Sequence, residues 1–141
     1  MKKKLKIGEF GSIYTQFKNK PKEAIKHLKK VQNGECLKAL YRQEIGFVDI
    51  VWGKNDENNR GYGLKHIIEK HGTQIKRLLG YEVEDFIPFA FQYGKIQPQK
   101  EKYKIRIASD SHIIVLLTEW KGGKKTLLLT SFAMKKRKQK P

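Results

Sequence analysis

Two histidines, His66 and His71, lie five residues apart in the segment GLKHIIEKHG, and the lysines Lys65 and Lys70 stand directly before them. Histidine exchanges protons near neutral pH, and lysine binds phosphate. These residue types could cleave RNA without a metal, because the 2′-OH of RNA is itself a nucleophile. One group would remove its proton, a second would protonate the leaving 5′-oxygen, and cations would stabilise the charged phosphorane.

Further groups suited to this chemistry lie on predicted strands. Thr130 and Ser131 stand near the end of the last apolar segment, and their hydroxyls could donate to the non-bridging phosphate oxygens. Arg106 lies on an earlier predicted strand and could bind a phosphate. A threonine on a sheet is common without any functional role, so these residues indicate a functional site only in combination with the histidines.

The histidine segment does not match a zinc motif. A metalloprotease helix carries two histidines four residues apart, with glutamate directly after the first, whereas His66 and His71 are five apart. The chain has a single cysteine, Cys36, which rules out an intrachain disulfide and suits a small core position. We therefore expect no metal site and no cofactor.

An ideal helix does not bring the two histidines together. His71 falls on the apolar stripe with Leu64, Ile67 and Ile68, whereas His66 falls on the far side, exposed beside Lys70. Two alternatives follow. Either the helix ends before His71, as the next residue, a glycine, permits, or one of the two histidines has a structural role.

Residue periodicity predicts an α+β fold in which N-terminal helices pack on a small antiparallel β-sheet. On the last strand, alternation places Thr126, Leu128, Thr130 and Phe132 on one face. On the first, Asp49 is either exposed or the partner of a basic side chain. The predicted elements are helices at Pro21–Val31, 35–43 and Val83–Tyr93, a strand at 46–53, and the strands YKIRIAS, HIIVLLTEW and KTLLLTSFAM.

The chain carries a large excess of positive charge. Lysine and arginine number 31 against 14 acidic residues, for a net charge of +17. Such an excess attracts polyanions, so nucleic acid is the first expected partner and an acidic protein the second. We predict a basic, partly flexible arm at 1–20, one domain at 21–134 and a basic tail at 135–141. No apolar run is long enough for a membrane span, and the N-terminus lacks the apolar region of a signal peptide.

Three segments in order resemble a known family: GFVDIVWG, then GYGLKHIIEKHG, then TEW, KGGKK and LLLTSF. Over about residues 46–133 the chain resembles the barnase–EndoU–colicin E5/D–RelE-like nuclease superfamily, particularly its phage and polymorphic-toxin branches. The resemblance implies a barnase/colicin-E5-like fold and a metal-independent endoribonuclease. It implies catalytic roles for His66, His71, Thr130 and Ser131, phosphate binding by Lys65 or Lys70, and base stacking by Phe132; Arg106 is added from its charge and position.

The resemblance also implies a biological setting. We expect a toxin that cleaves RNA, with tRNA as a candidate substrate, by 2′-OH attack that leaves a 2′,3′-cyclic phosphate. The expected site of action is the cytoplasm, reached by a stand-alone chain or by a domain exported within a larger toxin, and the expected protein partner is an acidic immunity or antitoxin protein. The net charge of +17 leaves two alternatives: a non-catalytic nucleic-acid-binding module, and a phage interaction protein that docks an acidic partner.

Overall fold

A computed structural model describes residues 6–134, in which ten strands and four α-helices form an α+β fold. The elements are β1 Ile7–Gly8, β2 Gly11–Tyr14, α1 Pro21–Val31, β3 Glu35–Arg42, β4 Gly46–Val51, β5 Lys54–Asn55, β6 Gly61–Tyr62, α2 Gly63–His66, a π-helical segment Ile67–His71, α3 Gly72–Leu79, α4 Val83–Tyr93, β7 Lys95–Ile96, β8 Lys104–Ala108, β9 His112–Trp120 and β10 Gly123–Ala133. No helix within residues 6–134 is long and apolar enough to cross a membrane.

Eight of the strands form one sheet, in the order β1-β2-β3-β4-β10-β9-β8-β7, and β5 pairs with β6 in a separate hairpin. Neighbouring strands are antiparallel except β2–β3 and β4–β10, which are parallel. The two central strands β4 and β10 pair at Asp49 and Leu127. The sheet therefore consists of two halves that meet at a narrow seam, and it is larger than the small sheet expected from the sequence.

The predicted helix at 35–43 is wrong, because this segment is strand β3. Cys36 and Leu40 are four residues apart, which imitates helical spacing. They pair with Ile50 and Val48 of β4, which are only two residues apart. The extra residues form a bulge at Lys38, whose backbone has a φ of 54°. Only one helix, α1, therefore precedes strand β4, rather than the two expected.

The other main elements agree with the sequence pattern. Helices α1 and α4 have the predicted bounds, and the three C-terminal strands pair antiparallel as expected. Cys36 is fully buried, and burial, followed by the nearby Glu35 carboxylate, raises the pKa of its thiol to about 12, which suits a core position rather than a nucleophile.

Part of the predicted N-terminal arm belongs to the sheet. The strands β1 and β2 form a hairpin, and Tyr14 at the end of β2 is buried. Parallel pairing of β2 with β3 fixes this hairpin to the sheet. The first five residues of the predicted arm and the predicted tail at 135–141 lie outside the described residues.

A lysine bridges the seam between the two halves of the sheet. The Lys125 ammonium on β10 lies 2.6 Å from Glu35 Oε1 on β3 and 2.7 Å from Asp49 Oδ2 on β4. Desolvation acts to lower the pKa of Lys125, but hydrogen bonds to Asp49 and Glu35 outweigh it and raise the pKa. The second Asp49 oxygen accepts the backbone N–H of Lys38 at 2.7 Å. Asp49 is therefore the partner of a basic side chain, the second of the two roles considered from the sequence.

Replacing Lys125 should destabilise the fold strongly. The variant Lys125→Ala leaves Glu35, only 4% exposed, and Asp49 without their cation, so the free energy of unfolding should fall by about 3 kcal/mol in urea denaturation. The matched variant Lys124→Ala removes an exposed neighbour and should cost less than about 1 kcal/mol. Equal losses for the two variants would contradict the bridging role.

Candidate functional site

The two histidines meet on one side of an uninterrupted helix at 63–79. Between α2 and α3 the helix has a π-helical segment, whose i→i+5 hydrogen bonds place one residue more in each bonded turn than an α-helix has. This extra residue rotates His71 back towards His66, and the two ring centroids lie 5.6 Å apart. Neither sequence alternative is needed, because the helix continues through Gly72 and still brings both rings together.

His66 is buried, contrary to the expectation that it would be exposed beside Lys70. Its side chain is only 6% exposed because the β5–β6 hairpin packs on α2 and covers the ring. The Nδ1 atom of His66 lies 2.8 Å from the Oδ1 atom of Asn55, on β5. Lys70 itself is exposed, as predicted.

The contacts of Asn55 determine which nitrogen of His66 carries the proton. The Asn55 amide nitrogen donates to Glu69 Oε1 at 3.0 Å and to Asn59 Oδ1 at 3.2 Å. A carboxylate can only accept, so the amide oxygen must face His66. His66 Nδ1–H therefore donates to this oxygen, and Nε2 keeps its lone pair. Glu69 acts on the histidine through Asn55.

Asn55 could not be singled out from the sequence. It lies in the polar stretch KNDENNR, where all five positions 55–59 carry acidic or amide side chains. No spacing in this stretch distinguishes the residue that reaches the histidine. Its role depends on the β5–β6 pairing, which brings the hairpin over α2.

Both histidines are held in their neutral form. Burial, followed by the charge of Lys70, lowers the pKa of His66 below its usual value near 6.5. Burial, then His66 and then Lys70 lower the pKa of His71 to about 4. At pH 7 the pair thus consists of two uncharged imidazoles, because a proton on either ring would be poorly solvated and would repel neighbouring positive charge.

The end of β10 supplies the other side of the site. The Phe132 ring lies 5.3 Å from the His71 ring, centroid to centroid. Thr130 and Phe132 pair in unbroken register with Val115 and Ile113 of β9, so they share one face of the sheet. The Thr130 hydroxyl is buried and has no hydrogen-bond partner within residues 6–134. Phe132 therefore contacts the histidine pair through His71, and Thr130 lies on the same face of the sheet as Phe132.

Ser131 faces away from this group. It pairs with Ile114, and Leu128 pairs with Leu116, so Ser131 and Leu128 share the opposite face. A bulge at Leu129 causes this arrangement and breaks the predicted alternation, which had placed Leu128 with Thr130. Ser131 is fully buried, and the structure does not bring its hydroxyl to the histidines.

The remaining predicted cations differ in their distance from the histidine pair. Lys70 is close enough to both histidines to lower their pKa values, and Lys65 is half-buried at the start of the helix. Arg106 pairs across β9 in the same row as Thr130, which places their backbones about 10 Å apart. Its guanidinium is bound to Glu101 at 2.6 Å, so the structure does not bring Arg106 into contact with the histidine pair.

Within residues 6–134 no three or more His, Cys, Asp or Glu side chains cluster closely enough to hold a metal ion. Near the histidine pair, the carboxylate of Glu69 accepts a hydrogen bond from the Asn55 amide.

The lowered pKa of His71 should make the fold less stable in acid. Above pH 6.5 the residue is neutral in both states, and its full contribution is present. Below pH 6.5 the unfolded chain takes up the proton first, so stability falls until about pH 4, where folded His71 also protonates. After allowance for solvent screening, this loss should be about 1–2 kcal/mol.

Urea denaturation of the wild type and of His71→Gln between pH 7 and pH 4 measures this contribution. The variant lacks the titrating ring, so its stability should fall less steeply with decreasing pH. Parallel curves for the two proteins would show that the pKa of His71 is not lowered by folding.

Comparison with family models places this site in a known context. Residues 39–138, most of the chain, match the model PBECR1, described as phage-Barnase-EndoU-ColicinE5/D-RelE like nuclease1. The matched region includes the histidine helix and the strands that complete the site. Neither a comparison with curated proteins nor one with solved structures gave a match. From the extent of the family match, the chain belongs to the PBECR1 family of barnase–EndoU–colicin E5/D–RelE-like nucleases.

Proposed function

We propose that this nuclease is a metal-independent endoribonuclease in which His66 and His71 exchange protons with the RNA. The observation that supports this most directly is the convergence of the two rings at 5.6 Å, beside Phe132, on a helix that would separate them if it were ideal. Two imidazoles at this distance can contact the entering and leaving oxygens of one phosphodiester.

His66 is the better general base. Its Nδ1–H is engaged by Asn55, which leaves the Nε2 lone pair to accept the proton of the ribose 2′-OH. Its lowered pKa keeps this lone pair unprotonated at neutral pH. Asn55 fixes the ring in the required tautomer, and Glu69 fixes Asn55, so both act as positioning residues.

His71 is the general acid once substrate is bound. With a pKa of about 4 it carries no proton at pH 7 in the free protein. A phosphodiester placed against the ring supplies negative charge, which favours the imidazolium and raises the pKa of His71. Binding of the substrate therefore favours protonation of His71, and the resulting imidazolium then protonates the leaving 5′-oxygen.

Two further groups stabilise the phosphorane in this proposal. The unpaired Thr130 hydroxyl can donate to a non-bridging oxygen, and the exposed Lys70 ammonium can approach the same phosphate. The 2′-oxygen displaces the 5′-oxygen, so the products are a 2′,3′-cyclic phosphate and a free 5′-OH. DNA lacks the nucleophile and is not a substrate.

The wider setting rests on charge and family. The net charge of +17 favours a polyanionic substrate and an acidic protein partner. The family description names phage nucleases and colicins, which supports a toxin that acts on cytoplasmic RNA, with tRNA as a candidate substrate and an immunity or antitoxin protein as the partner. The same charge favours one rival, a non-catalytic RNA-binding module.

Incubation with total RNA in EDTA tests the proposal. The wild type should cleave RNA, and His66→Ala should reduce the cleavage rate by at least ~100-fold, the scale of a lost acid or base. His27→Gln serves as a matched control, because this half-buried histidine lies on α1, where its ring packs against Tyr14 and Phe17, and the variant should keep nearly full activity.

Three outcomes would contradict the proposal. Activity that returns only with added Mg²⁺ or Zn²⁺ would exclude the metal-independent mechanism. Undiminished cleavage by folded His66→Ala would remove this residue from the chemistry. Binding of RNA by wild-type protein without any cleavage would favour the non-catalytic module.

A further inference from the structure

A groove of about 850 Å³ lies beside the histidine site, between the β1–β2 hairpin and the β5–β6 hairpin. Its volume is within the range of about 300–1,000 Å³ that is typical of ligand pockets. Its walls come from both hairpins, from the turn after α1 and from the start of the histidine helix. The lining residues that carry the argument are Trp52, Lys54, Asn55, Arg60, Tyr62 and Lys65.

Aromatic rings form one wall of the groove. Phe10, Trp52 and Tyr62 line it, and Trp120 packs against two of them, with its ring 4.9 Å from Tyr62 and 5.1 Å from Phe10. Rings supported in this way present a flat apolar surface at little entropic cost. Unstacked nucleobases bind to such surfaces, and stacking tolerates any base.

Positive charge and amide groups form the rest of the lining. Lys54, Arg60 and Lys65 have no acidic side chain within ion-pair distance in the described part of the chain. Of the two lining acids, Glu9 is paired with Lys121, and Asp56 accepts the backbone N–H groups of residues 58 and 60. The groove therefore offers uncompensated cations to a phosphate backbone.

The groove is joined to the histidine pair through Asn55. This residue lines the groove and binds His66 at 2.8 Å, and Lys65 lines it directly before His66 in the chain. A nucleotide in the groove would thus be continuous with a phosphate at the histidines. Gln32 and Asn33, also in the lining, supply uncharged hydrogen-bond donors and acceptors.

We infer that this groove is the subsite for an unpaired nucleotide next to the scissile phosphate, and that the substrate is single-stranded RNA. This inference rests on the proposed function for its position relative to cleavage, but not for binding itself. A base stacked within a duplex cannot present its face to Trp52 and Tyr62, so duplex RNA does not fill the groove.

A short 2′-O-methyl single-stranded RNA tests binding separately from cleavage, because it lacks the attacking hydroxyl. Affinity is measured by fluorescence anisotropy for the wild type, for Lys54→Ala/Arg60→Ala, and for the control Lys100→Ala/Lys102→Ala. The control removes the same charge from exposed positions between β7 and β8, at the opposite edge of the sheet. The groove variant should bind at least ~10-fold more weakly, and the control should change affinity by less than about threefold.

Tryptophan fluorescence gives an independent reading of where the oligonucleotide binds. The chain has two tryptophans: Trp52 lines the groove, and Trp120 packs against the lining rings of Phe10 and Tyr62. Binding of the single strand should quench this fluorescence, and a duplex of the same sequence should bind at least ~10-fold more weakly. Equal losses for the two double variants, absence of quenching, or equal affinity for the duplex would overturn the inference.

The two proposals fail differently in these experiments. A protein that binds the 2′-O-methyl strand in the groove but never cleaves unmodified RNA would contradict the endoribonuclease and leave the subsite standing. A protein that cleaves RNA while both double variants lose affinity equally would contradict the subsite alone.

Discussion

The candidate site depends on one irregularity in a helix. The π-helical segment Ile67–His71 adds a residue to a turn, and this rotation brings His71 to within 5.6 Å of His66. A regular α-helix would leave the same two side chains on different sides, one in the core and one in solvent. The neighbouring elements are arranged around the irregular turn: the β5–β6 hairpin covers His66 and orients it through Asn55, and β10 brings Phe132 against His71. Such segments recur at functional sites because they re-aim side chains without ending the helix.

The histidine pair is uncharged, whereas the molecule as a whole is strongly positive. The chain carries a net charge of +17, yet the buried His66 and the half-buried His71 are both neutral at pH 7. In the proposed mechanism, positive charge elsewhere attracts RNA, and the pair gains a proton when a phosphate approaches. In that mechanism the acid remains uncharged at neutral pH until substrate is present, because burial, followed by the charges of His66 and Lys70, lowers the pKa of His71. The lysine at the seam has a structural role, because Lys125 neutralises two carboxylates and thereby links the two halves of the sheet.

Much of this fold follows from sequence periodicity, and the departures have identifiable physical causes. Helix α1 begins at a proline and has a regular apolar stripe, and the C-terminal strands are bounded by glycine-rich or serine-rich turns, so both were predictable. Strand β3 was mistaken for a helix because the bulge at Lys38 spaces its buried residues as a helix would. The bulge at Leu129 likewise exchanged the faces of Thr130 and Ser131 relative to Leu128. The convergence of the histidines and the role of Asn55 arise from a π-turn and a tertiary contact, neither of which has a local sequence signature.

The central claim is that two converged imidazoles direct attack by the 2′-OH of RNA. The measurement that tests it most directly is end-group analysis of the RNA fragments produced by the wild-type protein in EDTA. The account predicts 2′,3′-cyclic phosphates and free 5′-hydroxyls, because the nucleophile comes from the RNA itself and the 5′-oxygen leaves. Fragments with 5′-phosphates and 3′-hydroxyls would mean that water attacks the phosphate, and they would contradict the account.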